Sequence, residues 1–231
     1  MRQDNPNAAG ILALQDKLRA AGFDPGPLDG RWGPRTEFAL DAALVLARRA
    51  LCGQAQTLAW GRKVSHEFRC RVFTMCERLA LNPDFLMACM AFESGETFSP
   101  SIRNAAGSGA VGLIQFMPAT ARALGTSTEM LAKMTAVEQL DFVESYFRPF
   151  RGRLQTLSDH YMAILWPAAI GKPESAALWT ADGRPTTYRQ NTGLDTNRDR
   201  VITKGEAAAK VQAKLEKGLG EGLRWQSAGA A

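Results

Sequence analysis

The chain has 231 residues, enough for one domain with a small accessory module, and its 45% apolar and 22% charged content is that of a folded globular protein. A net charge of +5 and a pI near 9.2 suit a polyanionic partner, nucleic acid and an anionic envelope equally. The basic residues are scattered, with no aromatic-basic strip, so nucleic acid is not expected as the partner.

From Met1 to Ala20 the only apolar run is broken by Gln15, Asp16, Lys17 and Arg19. Neither a signal peptide nor membrane insertion is expected, and the protein reads as made in a cytoplasm. Cys52, Cys70, Cys76 and Cys89 form no CxxC pair and no zinc pattern, which reads as reduced thiols acting as small hydrophobes.

Ile11, Leu14, Leu18 and Ala21 recur at helical spacing, and Gly22 closes that helix. A turn-rich stretch follows, in which Asp29-Gly30 calls for positive φ and Pro34 suits the first position of a new helix. That helix carries Phe38, Ala42 and Leu46 toward Leu51. Residues 52–64 lose the apolar rhythm and read as a linker. Ser65 caps a helix through Phe68, Val72, Cys76 and Leu79; Asn82-Pro83 opens the next.

The helix from Pro83 is apolar almost all round, hence buried, and Glu93 stands at its end before Gly95. Apolar surroundings penalise the ionised carboxylate, and the helix C-terminus adds partial negative charge nearby. Both raise its pKa, as a general acid requires. The alternative is a Glu reaching solvent or paired with Arg103.

Near the C-terminus, Asp195, Asn197, Asp199, the Val201 carbonyl and Glu206 have the spacing of an EF-hand calcium loop. Arg200 stands where that loop wants glycine, and the stretch before it does not read as an incoming helix. Thr203 and Glu206 also form a capping box for the helix through Ala207, Val211 and Leu215. Both readings stand; any calcium here is structural, and no cofactor is expected for catalysis.

Two stretches resemble known families. Leu14-Gln15, Leu18, Gly22-Phe23 and Leu28-Asp29-Gly30-Arg31-Trp32-Gly33-Pro34-Arg35-Thr36 resemble the small three-helix peptidoglycan-binding module of many cell-wall enzymes, in a single copy. Glu93-Ser94-Gly95, followed by Ser108-Gly109 and by Gly112-Leu113-Ile114-Gln115 with Pro118, resembles the lytic-transglycosylase type of the lysozyme-like superfamily.

The second resemblance implies a peptidoglycan substrate, Glu93 as catalytic acid, and Gln115, Ser108 and Tyr161 as substrate-binding residues. Tyr161 and Trp166 are the two candidates for an aromatic cleft wall. It also favours 1,6-anhydro products over hydrolysis. The pattern from Tyr161 to Pro173 is more like the version in phage lysis and tail proteins, so an endolysin acting on the periplasmic wall, or a tail-associated enzyme, is expected. The expected architecture is mainly α and monomeric: a three-helix binding module with linker over 1–60, and an α-rich lysozyme-like catalytic domain over 61–231.

Overall fold

The computed structural model of the protein describes residues 7–51, 56–104 and 107–227, without the side chains of 48–51. It is mainly α. Helices α1 (Ala8–Ala20) and α2 (Pro34–Leu51) form an N-terminal hairpin. Strand β1 (Thr57–Leu58) leads into α3 (His66–Leu79) and α4 (Pro83–Glu93). Then come α5 (Pro118–Ala123), α6 (Thr128–Leu131), α7 (Ala136–Phe147) and α8 (Leu157–Leu165). The C-terminal part holds β2 (Ala177–Thr180), α9 (Pro185–Gln190), β3 (Val201–Thr203), α10 (Lys204–Gly218) and β4 (Trp225–Gln226).

The strands make two short antiparallel pairs, β1 with β4 and β2 with β3. No helix among the described residues is long and apolar enough to cross a membrane.

The main core is built around α4, whose residues from Leu86 to Ala91 are all fully buried. An all-round apolar helix has to be central, and α3, α8 and α10 enclose this one. Its start is fixed twice over. The Asn82 side chain accepts the Asp84 and Phe85 N–H groups, and Asp84 itself accepts the Ala59 N–H at 2.7 Å. On α10, Lys204 is buried with its Nζ 2.6 Å from Asp159 of α8. Such a pair survives burial because its remaining groups are bonded too: Lys204 donates to the Lys172 carbonyl, and Asp159 accepts the Gly171 and Gln155 N–H groups.

The N-terminal unit has two helices among the described residues where three were expected. Residues 24–33 are held as a loop by side chains. Gln15, buried in α1, accepts the Gly30 N–H and donates to the Arg31 carbonyl and Thr36; Thr36 in turn donates to the Pro25 carbonyl. A Cβ on Gly30 would lie 2.6 Å from the Ala8 carbonyl, so only glycine fits there.

This hairpin has only a small core of its own, Leu18, Phe23, Ala39 and Ala42, and Cys70 of α3 completes it. Arg71 lies over the Phe38 ring and pairs with Asp141. The hairpin is therefore docked on α3. The linker expected over 52–64 is corrected in its second half: Leu58, Ala59 and Trp60 are core residues, because β1 is pinned by β4 from the far end of the chain. Cys52 lies outside the described residues; Cys70, Cys76 and Cys89 are buried free thiols.

Candidate active site

Glu93 is the last residue of α4. The helix ends there in a Schellman turn: Gly95 takes φ +58°, its N–H reaches the Phe92 carbonyl, and the Glu96 N–H reaches the Ala91 carbonyl at 2.7 Å. Ser94 is fully buried and braces the turn; its hydroxyl donates to the Met90 carbonyl and accepts the Phe98 N–H. The Glu-Ser-Gly sequence thus supplies one carboxyl side chain at the helix end and two residues that fix the turn beside it.

Burial pushes the Glu93 carboxyl up to about 7, and desolvation is the only cause at work. Among the described residues no group hydrogen-bonds it or pairs with it, Arg103 included. Burial first, and then the Glu93 charge, raises the pKa of Cys89 one turn back and of the hydroxyls of Tyr146 and Tyr161, which lie within electrostatic reach of it.

Tyr161, on α8, meets the Phe92 ring edge-on at 5.5 Å, and its hydroxyl has no hydrogen-bond partner among the described residues. Trp166 instead packs edge-on against Trp179 at 5.6 Å, with Arg184 over its face. Tyr161 thus packs on the residue next to Glu93 and lies within electrostatic reach of the acid.

Glu96 does not offer a second catalytic carboxylate. Its side chain turns to α10, where hydrogen bonds from Lys214 and Lys217 hold it below the usual carboxylate range.

Residues 112–115 form a tight turn closed by a bridge between Val111 and Phe116. Gly112 takes φ +83°, and a Cβ there would fall 2.2 Å from Gln139 Oε1. Gln115 stands at φ +52° and is half-buried; its Nε2 donates to the Gly112 and Ile102 carbonyls. Those bonds engage the amide donors in bracing the turn and leave the side-chain oxygen for a ligand. The connection to Glu93 runs through its neighbour Phe116, whose ring meets Tyr146 edge-on at 6.3 Å. Ser108 is exposed and accepts the Ala110 N–H.

Sequence reasoning missed two residues. Tyr146 sits on α7 between Phe116 and Glu93 and donates to the Ala163 carbonyl at 2.8 Å. Gln139, fully buried on the same helix, accepts the Leu113 N–H and donates to the carbonyls of Pro100 and Leu131. The one signal for Gln139 was a polar residue beside Leu140 on the buried face of α7; Tyr146 carried none.

The 195–206 loop does not assemble the expected calcium ligands. Asp195 accepts the Tyr188 hydroxyl and the Arg200 N–H, while Asn197 and Asp199 fold onto the loop's own backbone. Glu206 is turned onto Thr203, completing the capping box that competes for its carboxylate. Among the described residues no three His, Cys, Asp or Glu side chains gather as a metal site. Arg200, where the calcium pattern wants glycine, takes φ +70°.

No curated protein matches the chain. Residues 73–141, which run from α3 through Glu93 and the 112–115 turn into α7, match the family model described as Transglycosylase SLT domain. That match makes the protein an enzyme of the lytic transglycosylase class, a peptidoglycan glycosidase with its SLT domain at residues 73–141.

Proposed function

We propose that the protein cleaves the β-1,4 bond between N-acetylmuramic acid and N-acetylglucosamine in peptidoglycan, with Glu93 as acid and then base. The observation that carries this reading is one carboxyl group, raised to about 7 by burial alone, at the end of a buried helix and within reach of two tyrosines. At neutral pH a large fraction of such a group keeps its proton, which it can deliver to the leaving glycosidic oxygen.

A two-carboxylate hydrolase needs a nucleophile or a base across the scissile bond. Among the described residues no second carboxylate acts on Glu93, and Glu96 is held by lysines. That supports an intramolecular route. The bond from C1 to the leaving oxygen breaks as Glu93 gives up its proton, with the substrate's N-acetyl group assisting at C1. The Glu93 carboxylate then takes the proton of the C6 hydroxyl, that oxygen closes on C1, and the product carries a 1,6-anhydro end. No water is consumed and no metal takes part; calcium on the 195–206 loop would be structural and would have to draw Glu206 off Thr203.

In this reading the N-terminal hairpin serves as a wall-binding unit, supported by its Asp-Gly and Thr pattern and by the buried Gln15 network that the pattern builds. The setting is endolysin-type or tail-associated lysis, supported by the likeness of the Tyr161–Pro173 stretch to phage enzymes.

Mass spectrometry of muropeptides released from purified sacculi tests the chemistry. Products lighter by one water from wild type, and absent with Glu93→Gln, are expected. Reducing ends carrying that water would point to a hydrolysing muramidase; binding without cleavage would leave a wall-binding virion protein.

A further inference from the structure

We propose that Glu96 is a positioning residue for the reaction: clamped by Lys214 and Lys217 of α10, it holds the strained turn on which the Glu93 carboxyl stands. This rests on the reading of Glu93 as the acid, and it gives a task to a carboxylate that takes no part in the chemistry.

The backbone just beyond the acid is held in an unfavourable shape. Gly95, Glu96 and Phe98 stand at φ +58°, +68° and +52°. Glycine adopts such angles freely, whereas Glu96 and Phe98 occupy them at a cost and persist there only because their surroundings hold them. The Glu96 N–H reaches the Ala91 carbonyl, and the Phe98 N–H reaches Ser94 Oγ. Those bonds tie the turn to α4 and to itself.

Two anchors tie it to the rest of the molecule. Phe98 is buried with its ring 6.2 Å from that of Trp60 and 6.1 Å from that of Phe68. Glu96 reaches α10, where Oε1 accepts from Lys214 Nζ and Oε2 from Lys217 Nζ, each at 2.5 Å. A carboxylate gripped at both oxygens has its direction fixed, which a single contact does not achieve.

The lysines are fixed in their turn. Trp60 Nε1 donates to the Lys214 carbonyl at 2.8 Å, and the Trp60 N–H donates to the Gly218 carbonyl at 3.0 Å. The Lys217 ammonium stands 5.5 Å from the centre of the same indole. Both anchors therefore meet on Trp60. Helix α10 lies beyond residues 73–141, so the clamp comes from outside the stretch that matches the SLT domain. Glu93 is three residues before Glu96, and a shift of the turn moves the end of α4 with its carboxyl.

The test separates placement from stability. Glu96→Gln keeps the size of the side chain and removes its charge. Glu96→Gly removes the clamp but relieves the left-handed strain, so its melting temperature should stay near that of wild type. In both, kcat on glycan strands should fall by about three- to thirtyfold with KM unchanged, because a misplaced acid slows the chemical step and leaves binding intact. Lys214→Met with Lys217→Met should give the same loss, and adding Glu96→Gln to that pair should cost nothing further. An unchanged kcat in Glu96→Gly, or losses that simply add, would overturn the proposal.

A second measurement does not depend on activity. In Glu96→Gln the backbone amides at 96 and 98 should exchange with solvent deuterium about tenfold faster than in wild type. Unchanged exchange would also overturn the assignment. Faster exchange in a protein whose wild type cut no strand would refute glycan cleavage and leave the clamp on the turn standing.

Discussion

The side-chain carbonyl of Gln139 accepts the backbone N–H of Leu113 at 2.7 Å, inside a site where neither residue touches solvent. The same amide donates to the carbonyls of Pro100 and Leu131, both at 3.0 Å. One side chain of α7 thereby holds three separate segments, among them the turn that carries Gln115, and Gly112 is glycine because that amide occupies the place of a Cβ.

Gln139→Leu should therefore destabilise the protein by about 2–4 kcal/mol in urea denaturation, since it strands a buried N–H and two carbonyls. Gly112→Ala should also be destabilising, by its φ of +83° and by the clash. Loss of activity without loss of stability in Gln139→Leu would contradict the bracing role.

Glu93→Gln should lower the rate by roughly 10² to 10⁴, the usual worth of general acid catalysis. It should also stabilise the fold at alkaline pH. Burial raises the Glu93 pKa from 4.5 to about 7, so the folded protein keeps a proton that the unfolded chain releases. Wild-type stability then falls as pH rises from about 4.5 to 7 and stays lower above, by a cost on the order of 3 kcal/mol. The neutral variant escapes that cost. Melting curves should coincide near pH 4 and diverge by pH 8, with the variant higher.

The two tyrosines should separate in their effects. Tyr146→Phe removes the 2.8 Å bond to the Ala163 carbonyl and should cost about 1 kcal/mol of stability. Tyr161→Phe removes a hydroxyl with no hydrogen-bond partner among the described residues and keeps the edge-on packing on Phe92. Its melting temperature should hold while kcat/KM falls, which assays on sacculi would report.

Chelation should leave the cleavage rate unchanged, because the proposed reaction needs only Glu93 and the substrate's own groups. A melting temperature lowered by chelator, with the rate intact, would show that calcium does draw Glu206 away from Thr203 and orders the 195–206 loop. A lost rate would place a metal in the chemistry.

Local signals were legible in the sequence because their physics spans only a few residues. Asn82 and Pro83 start α4, Gly95 ends it, and an apolar helix of that length is buried wherever it lies. Those facts made Glu93 a candidate acid beside the alternative of a solvent-facing or Arg-paired Glu, and the resemblance of the surrounding motifs favoured the acid. Thr203 and Glu206 likewise announced α10 through their capping box.

What only the tertiary structure decided depends on partners far apart in the chain. Residues 57–60 look like linker until β4, near the other end, pairs with β1 and Trp60 Nε1 finds the Lys214 carbonyl. Tyr146 is an unremarked helix residue until α7 sets it beside Glu93. The direction in which Glu96 points, which decides whether a second carboxylate reaches the bond, was fixed by Lys214 and Lys217 on a helix over a hundred residues away. The apolar helix gave the direction of the Glu93 pKa shift, but its extent is a property of everything packed around the residue.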